Sequence, residues 1–255
     1  MIPDNIIMSD ATTYPQALIK FLSSHEELFY RFSIEQDRLD NELFNIEDYL
    51  NPIRNKHTPQ WQSKIDLLEN LIRNYKYLGF HCTRLTDPEF ISVSESGLKP
   101  LSKENTENRL RTVLEKNLIS DSTYKELLKN NSSDQDNRKG RIWFTHDTNI
   151  LKQPKNIGRF FQNWGGEAIY NNHEHREEIT NEISKIGSPY ILVSSFCYEE
   201  LSPIKKLSEY IVDVWLSHRH DNYYYNLFDT NIRYNKAVLK SIKFGDQLFN
   251  KLTKG

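Results

Sequence analysis

Glycine, cysteine and methionine are all scarce in this 255-residue chain, at nine, two and two residues. So few glycines leave no Gly-rich phosphate loop, and neither a Walker A pattern nor a G-x-G-x-x-G dinucleotide fingerprint occurs. The two cysteines, Cys82 and Cys197, are too few for a disulfide scaffold or a cysteine-ligated zinc cluster. No G-x-S-x-G elbow is present, which removes the usual signature of a serine hydrolase. No run approaches the roughly 18 apolar residues of a membrane span. The start, Met1-Ile2-Pro3-Asp4-Asn5, lacks the basic residues and apolar core of a signal peptide. A cytoplasmic location without membrane contact is the expectation.

Charge is nearly balanced, at −2, which argues against a broadly basic nucleic-acid binder. Its distribution is uneven. Residues 21–50 carry eight acids and two bases. The stretch 232–255 sets Arg233, Lys236, Lys240, Lys243, Lys251 and Lys254 against the single acid Asp246. Two solvated faces account for this, as does a basic tail facing a polyanion with an acidic helix elsewhere for a partner.

The hydrophobic pattern predicts an α+β protein, large enough to bury a core without staples. Residues 1–77 read as a helical extension. One helix is predicted from Pro15 to Leu50 and another on the stripe Trp61, Ile65, Leu68, Ile72 and Tyr75. The texture changes at Leu78, where residues 78–255 begin a second block. Leu78–Leu85 is a strand candidate, and Asp87-Pro88-Glu89 opens a helix, with Asp87 read as its N-cap and Gly97 as its stop. Polar helices follow, capped near Ser102 and near Ser120 or Asp121. Asn130–Gly140 reads as a mobile polar loop. Arg141–Thr145, Tyr190–Cys197 and Ala237–Phe244 complete the strands, and a helix holding Ile211, Val212, Trp215 and Leu216 precedes the last of them.

Two clusters stand out chemically. Phe80-His81-Cys82-Thr83-Arg84 puts a hydroxyl partner, a small donor and a phosphate partner at one strand end. A half-buried strand whose polar groups satisfy loop backbone would read the same. Trp164-Gly165-Gly166-Glu167-Ala168-Ile169-Tyr170 sets a carboxylate beside flat aromatic surface. It equally describes a helix start with a first-turn acid and core aromatics. His173, His175, His218 and His220 lack the helical i, i+4 spacing of a zinc pair and read as surface histidines, so no metal is expected. Cys197 reads as a small core residue. Cys82, beside His81 and Arg84, has cations able to lower its pKa and remains a possible nucleophile.

Phe80-His81-Cys82-Thr83-Arg84, followed by a helix ending in Ser96-Gly97-Leu98-Lys99-Pro100-Leu101, resembles the opening of ADP-ribosyltransferase domains. Gly140–Thr145 resembles that family's second strand, and the match spans roughly residues 78–253. The Trp164–Tyr170 block and the Tyr190–Cys197 strand extend it toward bacterial toxin and phage-defence transferases of the DarT and CmdT kind, which modify nucleic acids. The resemblance implies a split sheet, NAD as substrate, and no metal. His81 and Thr83 would hold the ribose and Arg84 the pyrophosphate. Trp143, Phe144 or Trp164 would stack on nicotinamide, with Tyr170 nearby. Glu167 is the first choice for the catalytic carboxylate, with His81 beside it. The family places that Glu late, after the ribose-binding elements, which makes Glu209 the second choice and Glu199 a third. Expected partners are NAD, a nucleic-acid or protein acceptor, and an antitoxin or inhibitor protein. A glycohydrolase that only consumes NAD, or a non-catalytic interaction protein, fits the same residues.

Overall fold

Leucines and aromatics at helical spacing after Pro15 form α1 (Gln16–Glu42), preceded by a two-residue strand, β1 (Asn5–Ile6). The computed structural model describes residues 5–42, 54–151, 154–203, 206–223, 230–232 and 240–243. Helices and strands are mixed, as an α+β reading requires. The chain divides into two units, Met1–Lys76 with Lys205–Leu227 and Tyr77–Ile204 with Phe228–Gly255. Among the described residues no helix is long and apolar enough to cross a membrane.

The first unit is helical. On α1, Leu18, Leu22, Phe29 and Leu39 are buried on one stripe, while Glu27–Arg31 and Glu35–Arg38 pair on the solvent side. α2 (Thr58–Ile72) starts at a proline, where no N–H is needed, and buries Ile65, Leu68 and Ile72. Trp61 stacks on Phe32 with ring centroids 4.2 Å apart. The helix Leu207–Arg219, grouped with the second block on sequence, belongs to this unit. It is apolar on most faces, and two of its polar groups find partners on α1 and α2. Trp215 donates to Glu26 at 3.2 Å, and the Ser208 N–H donates to Glu69 at 3.1 Å. One of the acids of residues 21–50 is therefore engaged inside the unit. The pattern of a single segment does not reveal which neighbours satisfy it.

In the second unit β2 (Lys76–Leu85) leads into α3 (Asp87–Ser96). The N-cap is Thr86, not Asp87: Thr86 and Glu89 form a reciprocal capping box, and Gly97 ends the helix at φ +76°. α4 (Lys103–Glu115) and α5 (Asp121–Lys129) are capped by Ser102 and Ser120, as predicted. β3 (Ile142–Phe144), α6 (Thr148–Leu151), α7 (Pro154–Gln162), α8 (Glu167–Tyr170) and α9 (Glu177–Ile183) follow. β4 (Ser188–Cys197), β5 (Leu201–Pro203), β6 (Thr230–Ile232) and β7 (Lys240–Lys243) complete the unit. β2, β4 and β7 are successive neighbours in one sheet, and β3, β6 and β5 in another. β4 runs antiparallel to β7 with Tyr190 opposite Lys243, and β6 runs antiparallel to both its neighbours. A bridge between Phe80 and Thr145 joins β2 to the residue after β3. Of the predicted strand Ala237–Phe244, residues 237–239 and 244 lie outside the described residues, as does most of the basic stretch 232–255.

Leu110, Val113, Leu127, Trp164, Ile169, Tyr170, Ile179 and Ile183 belong to one helical core, and Leu85, Tyr190 and Leu192 pack with Phe90 and Val93 in a second. Gly187 lets two chain segments approach closely. A Cβ there would sit 2.3 Å from the Leu85 carbonyl oxygen, and its φ is +65°. The Asn130–Gly140 loop is anchored, not free. Ser132 and Ser133 are buried, the Ser132 N–H donates to Ala168 O at 2.8 Å, and Gly140 N–H donates to Leu101 O at 2.8 Å. Polar composition concealed this because backbone groups and the side chains of Asn131 and Arg138 find partners in other elements.

Candidate functional site

A cavity of about 740 Å³ opens in the second unit between the end of β2, helices α3 and α4, the β3 strand and the turn before α8. That is within the usual size range of small-molecule sites. β2 contributes His81 and Thr83, β3 contributes Trp143 and Phe144, and α8 contributes Glu167. Five of the residues chosen from sequence therefore meet at one place, although up to 86 positions separate them.

Backbone pairing positions His81. The Phe80–Thr145 bridge brings β3 alongside, and His81 Nδ1 lies 2.7 Å from the Trp143 carbonyl oxygen. A carbonyl only accepts, so Nδ1 carries the proton and Nε2 is left as an acceptor. Its ring is half-buried in the cavity wall. Burial, reinforced by the Arg109 charge, lowers its pKa against the opposing pull of the Trp143 carbonyl. The imidazole is a neutral hydrogen-bonding group. Thr83 is buried at the same wall.

Glu167 begins α8 after Gly165 and Gly166, both at positive φ. Its carboxylate lies 3.1 Å from Arg159 Nη1 and 3.7 Å from Arg138 Nη1, with 31% of the side chain exposed. Arg159 also grips Glu174, through contacts of 2.6 and 3.1 Å. Two guanidinium groups thus fix the direction of the Glu167 carboxylate while leaving part of it open.

Other expected residues are placed elsewhere. Arg84 does not line the cavity: its Nε donates to Ile186 O at 2.6 Å and its Nη1 to Phe161 O at 3.0 Å. It is one step out of phase with Thr83 on the strand. Trp164 and Tyr170 are fully buried members of the helical core and do not line the cavity. Burial, with the nearby Glu167 charge, raises the Tyr170 pKa. Glu209 lies on the helix Leu207–Arg219 of the first unit, whereas His81 and Glu167 belong to the second. Glu199 is exposed in the short turn after β4 and does not line the cavity.

The thiols and one histidine, His173, differ from expectation. Cys82 lines the cavity, but burial pushes its pKa up to about 12, opposite to the activated thiolate the neighbouring cations suggested. Arg84 points its charge at backbone carbonyls, so it does not stabilise that thiolate. Cys197 is exposed at the end of β4, not in the core. His173 is buried, with Nε2 2.7 Å from Asn130 O, while His175 and His218 are exposed. Among the described residues no group of three His, Cys, Asp or Glu could hold a metal ion.

Glu89 and Arg109 are the residues that sequence reasoning missed. One Glu89 oxygen accepts from Trp164 Nε1 at 2.8 Å, from Thr86 N–H at 2.8 Å and from Thr86 Oγ1 at 2.9 Å. The other accepts from Arg109 Nε at 2.7 Å. Burial alone would raise the Glu89 pKa, but Arg109 and these donors outweigh it and hold the carboxylate below its usual range. The Arg109 guanidinium lies 4.9 Å from the centre of the Trp164 ring. The spacing Thr86-x-x-Glu89 was a legible sign of a capping box. Nothing local marked Arg109 among the charges of α4. With Lys99, Lys116, Arg138 and Arg141 it gives the lining five basic side chains against two acidic ones, Glu89 and Glu167. In a chain of net charge −2, that local surplus selects for an anionic ligand.

No family model, curated protein or solved structure matches the chain.

Proposed function

We propose that the protein is an NAD-dependent ADP-ribosyltransferase that modifies a macromolecule, with nucleic acid the first acceptor to try and an antitoxin or inhibitor protein as its regulator. The observation that carries this reading is the meeting of His81, Thr83, Trp143, Phe144 and Glu167 in one cavity with surplus positive charge. The resemblance of the β2 and β3 segments to ADP-ribosyltransferase motifs supplies the reaction. It also carries a split-sheet expectation, for which the two sheets meeting at the Phe80–Thr145 bridge are the supporting feature.

In this reading Thr83 and the Nε2 acceptor of His81 hold ribose hydroxyls, and the half-exposed Trp143 and the Phe144 ring flank nicotinamide. The glycosidic C–N bond breaks with its electron pair leaving on nicotinamide, and an oxocarbenium-like ribose remains. Glu167 stabilises that charge and takes the proton of the acceptor as its oxygen or nitrogen bonds to the ribose. Arg159 and Arg138 keep its carboxylate aimed. Water in place of a macromolecule turns the same steps into glycohydrolysis.

The test is nicotinamide release by purified protein, with and without DNA, RNA or cell lysate. Glu167→Gln keeps volume and hydrogen bonding, and is expected to slow release by roughly 10²–10⁴-fold, the scale of a positioned acid or base. An unaltered circular dichroism spectrum would show that the variant folds. Wild-type turnover in Glu167→Gln removes that residue's role, and no turnover by the unmodified protein with any acceptor refutes the enzyme reading.

A further inference from the structure

We infer that Arg109 is the anchor for a diphosphate-bearing ligand in this cavity, held in position by Glu89 and Trp164. The inference uses the same cavity as the transferase reading, but it does not require NAD to be cleaved. It also transfers the anion-binding role from Arg84, whose guanidinium is engaged by backbone carbonyls, to a residue on α4.

Each nitrogen of the Arg109 guanidinium has a distinct fate. Nε donates to Glu89 at 2.7 Å, and Nη1 donates to Gly165 O at 3.1 Å. Nη2 is shielded from water and has no acceptor among the described residues. A desolvated charged donor without a partner is costly, and such groups are rare unless a ligand or ion completes them. The remainder of the side chain is not closed off: 30% of it is exposed, and it lines the cavity.

Its support is rigid. Four donors hold the Glu89 carboxylate, the Trp164 ring lies beside the guanidinium, and Trp164 is itself fully buried. With Nε held by Glu89 and Nη1 by the Gly165 carbonyl, Nη2 is the one donor left for a ligand oxyanion, a charge-assisted contact of the kind arginine makes with phosphate. Glu89 cancels one charge locally. Glu167 engages Arg138, which leaves Lys99, Lys116 and Arg141 on the same lining to neutralise a polyanion more highly charged than a single carboxylate. Trp143, Phe144 and Phe160 add flat apolar surface for the body of such a ligand. Arg109 is thus a ligand-binding residue, and Glu89 and Trp164 are positioning residues.

The experiment titrates the full chain with inorganic pyrophosphate and, separately, ADP, by calorimetry at low ionic strength. Both are expected to bind, and Arg109→Gln is expected to weaken both at least about tenfold, the scale of a lost charge-assisted hydrogen bond. Arg109→Lys keeps the charge and a partner for Glu89 but loses the fork, so it is expected to fall between. It also serves as the informative variant if Arg109→Gln does not fold. Arg31→Gln, an exposed arginine of the first unit, is expected to bind like the wild type. Absence of pyrophosphate and ADP binding to the wild type overturns the inference. So do wild-type affinity in both Arg109 variants and an equal loss in Arg31→Gln. Binding that depends on Arg109 without any nicotinamide release leaves this inference standing and refutes the transferase. Release that survives Arg109→Gln does the reverse.

Discussion

Removing the Glu89 side chain should be one of the most damaging single changes in the second unit. In Glu89→Ala, Arg109 loses its counter-ion. Stranding one partner of a buried pair costs about 3–5 kcal/mol, reduced to about 1–3 because Arg109 is 30% exposed. The Trp164 Nε1–H, on a fully buried indole, loses its acceptor at a cost of about 1–3 kcal/mol. Loss of half of the capping box adds about 0.5–1 kcal/mol. Together these give about 2.5–7 kcal/mol, or a melting temperature lower by about 5–28 °C at roughly 2–4 °C per kcal/mol. Glu89→Gln retains a carbonyl for one set of donors and should lose about half as much. Because the folded-state pKa of Glu89 lies below its ordinary value, its stabilisation is complete above about pH 4.5 and is lost as pH falls through the lowered value. The difference between wild type and Glu89→Ala must therefore shrink on acidification below about pH 4.5. Urea unfolding followed by tryptophan fluorescence, repeated across pH, measures both. A loss below about 1 kcal/mol at pH 7, or a difference that grows in acid, would refute the hub role given to Glu89.

Three further outcomes are expected. Gly187→Ala should destabilise by about 2 kcal/mol or more, because its Cβ would lie 2.3 Å from the Leu85 carbonyl oxygen at φ +65°; a neutral denaturation midpoint would contradict the close approach. Burial holds the His146 pKa down at about 4, so acidification from pH 6.5 to 4 should remove up to about 3 kcal/mol of stability. His146→Gln should flatten that part of the pH profile, and an unchanged slope would assign it to other groups. Iodoacetamide at pH 8 should label the exposed Cys197 much faster than the half-buried Cys82, since burial pushes the Cys82 thiol up to about 12; equal labelling rates of the two in native protein, read by mass spectrometry, would count against the raised pKa of Cys82.

The sequence by itself determined what depends on near neighbours. Period 3.6 located α1 and α2, with Leu18, Leu22, Ile65 and Leu68 inward. Ser102, Ser120 and Gly97 marked helix ends, because a cap is a contact between residues a few positions apart. His81, Thr83, Trp143, Phe144 and Glu167 were legible as polar or aromatic groups at element ends. Their union in one cavity was not, because it depends on the Phe80–Thr145 bridge across more than sixty residues. Only tertiary structure separated Arg84 from the cavity and placed Arg109 on its basic lining. On sequence the two are equivalent cations, and the difference is made by which carbonyls and carboxylates the fold brings to each. Burial likewise reversed the expectation for Cys82, since desolvation by distant chain segments opposes the charge of its sequence neighbours and wins. Trp164, proposed as a ligand platform from its neighbours, became a core residue for the same reason: contacts with Leu110, Val113 and Ile183 arrive from elements that local pattern does not connect.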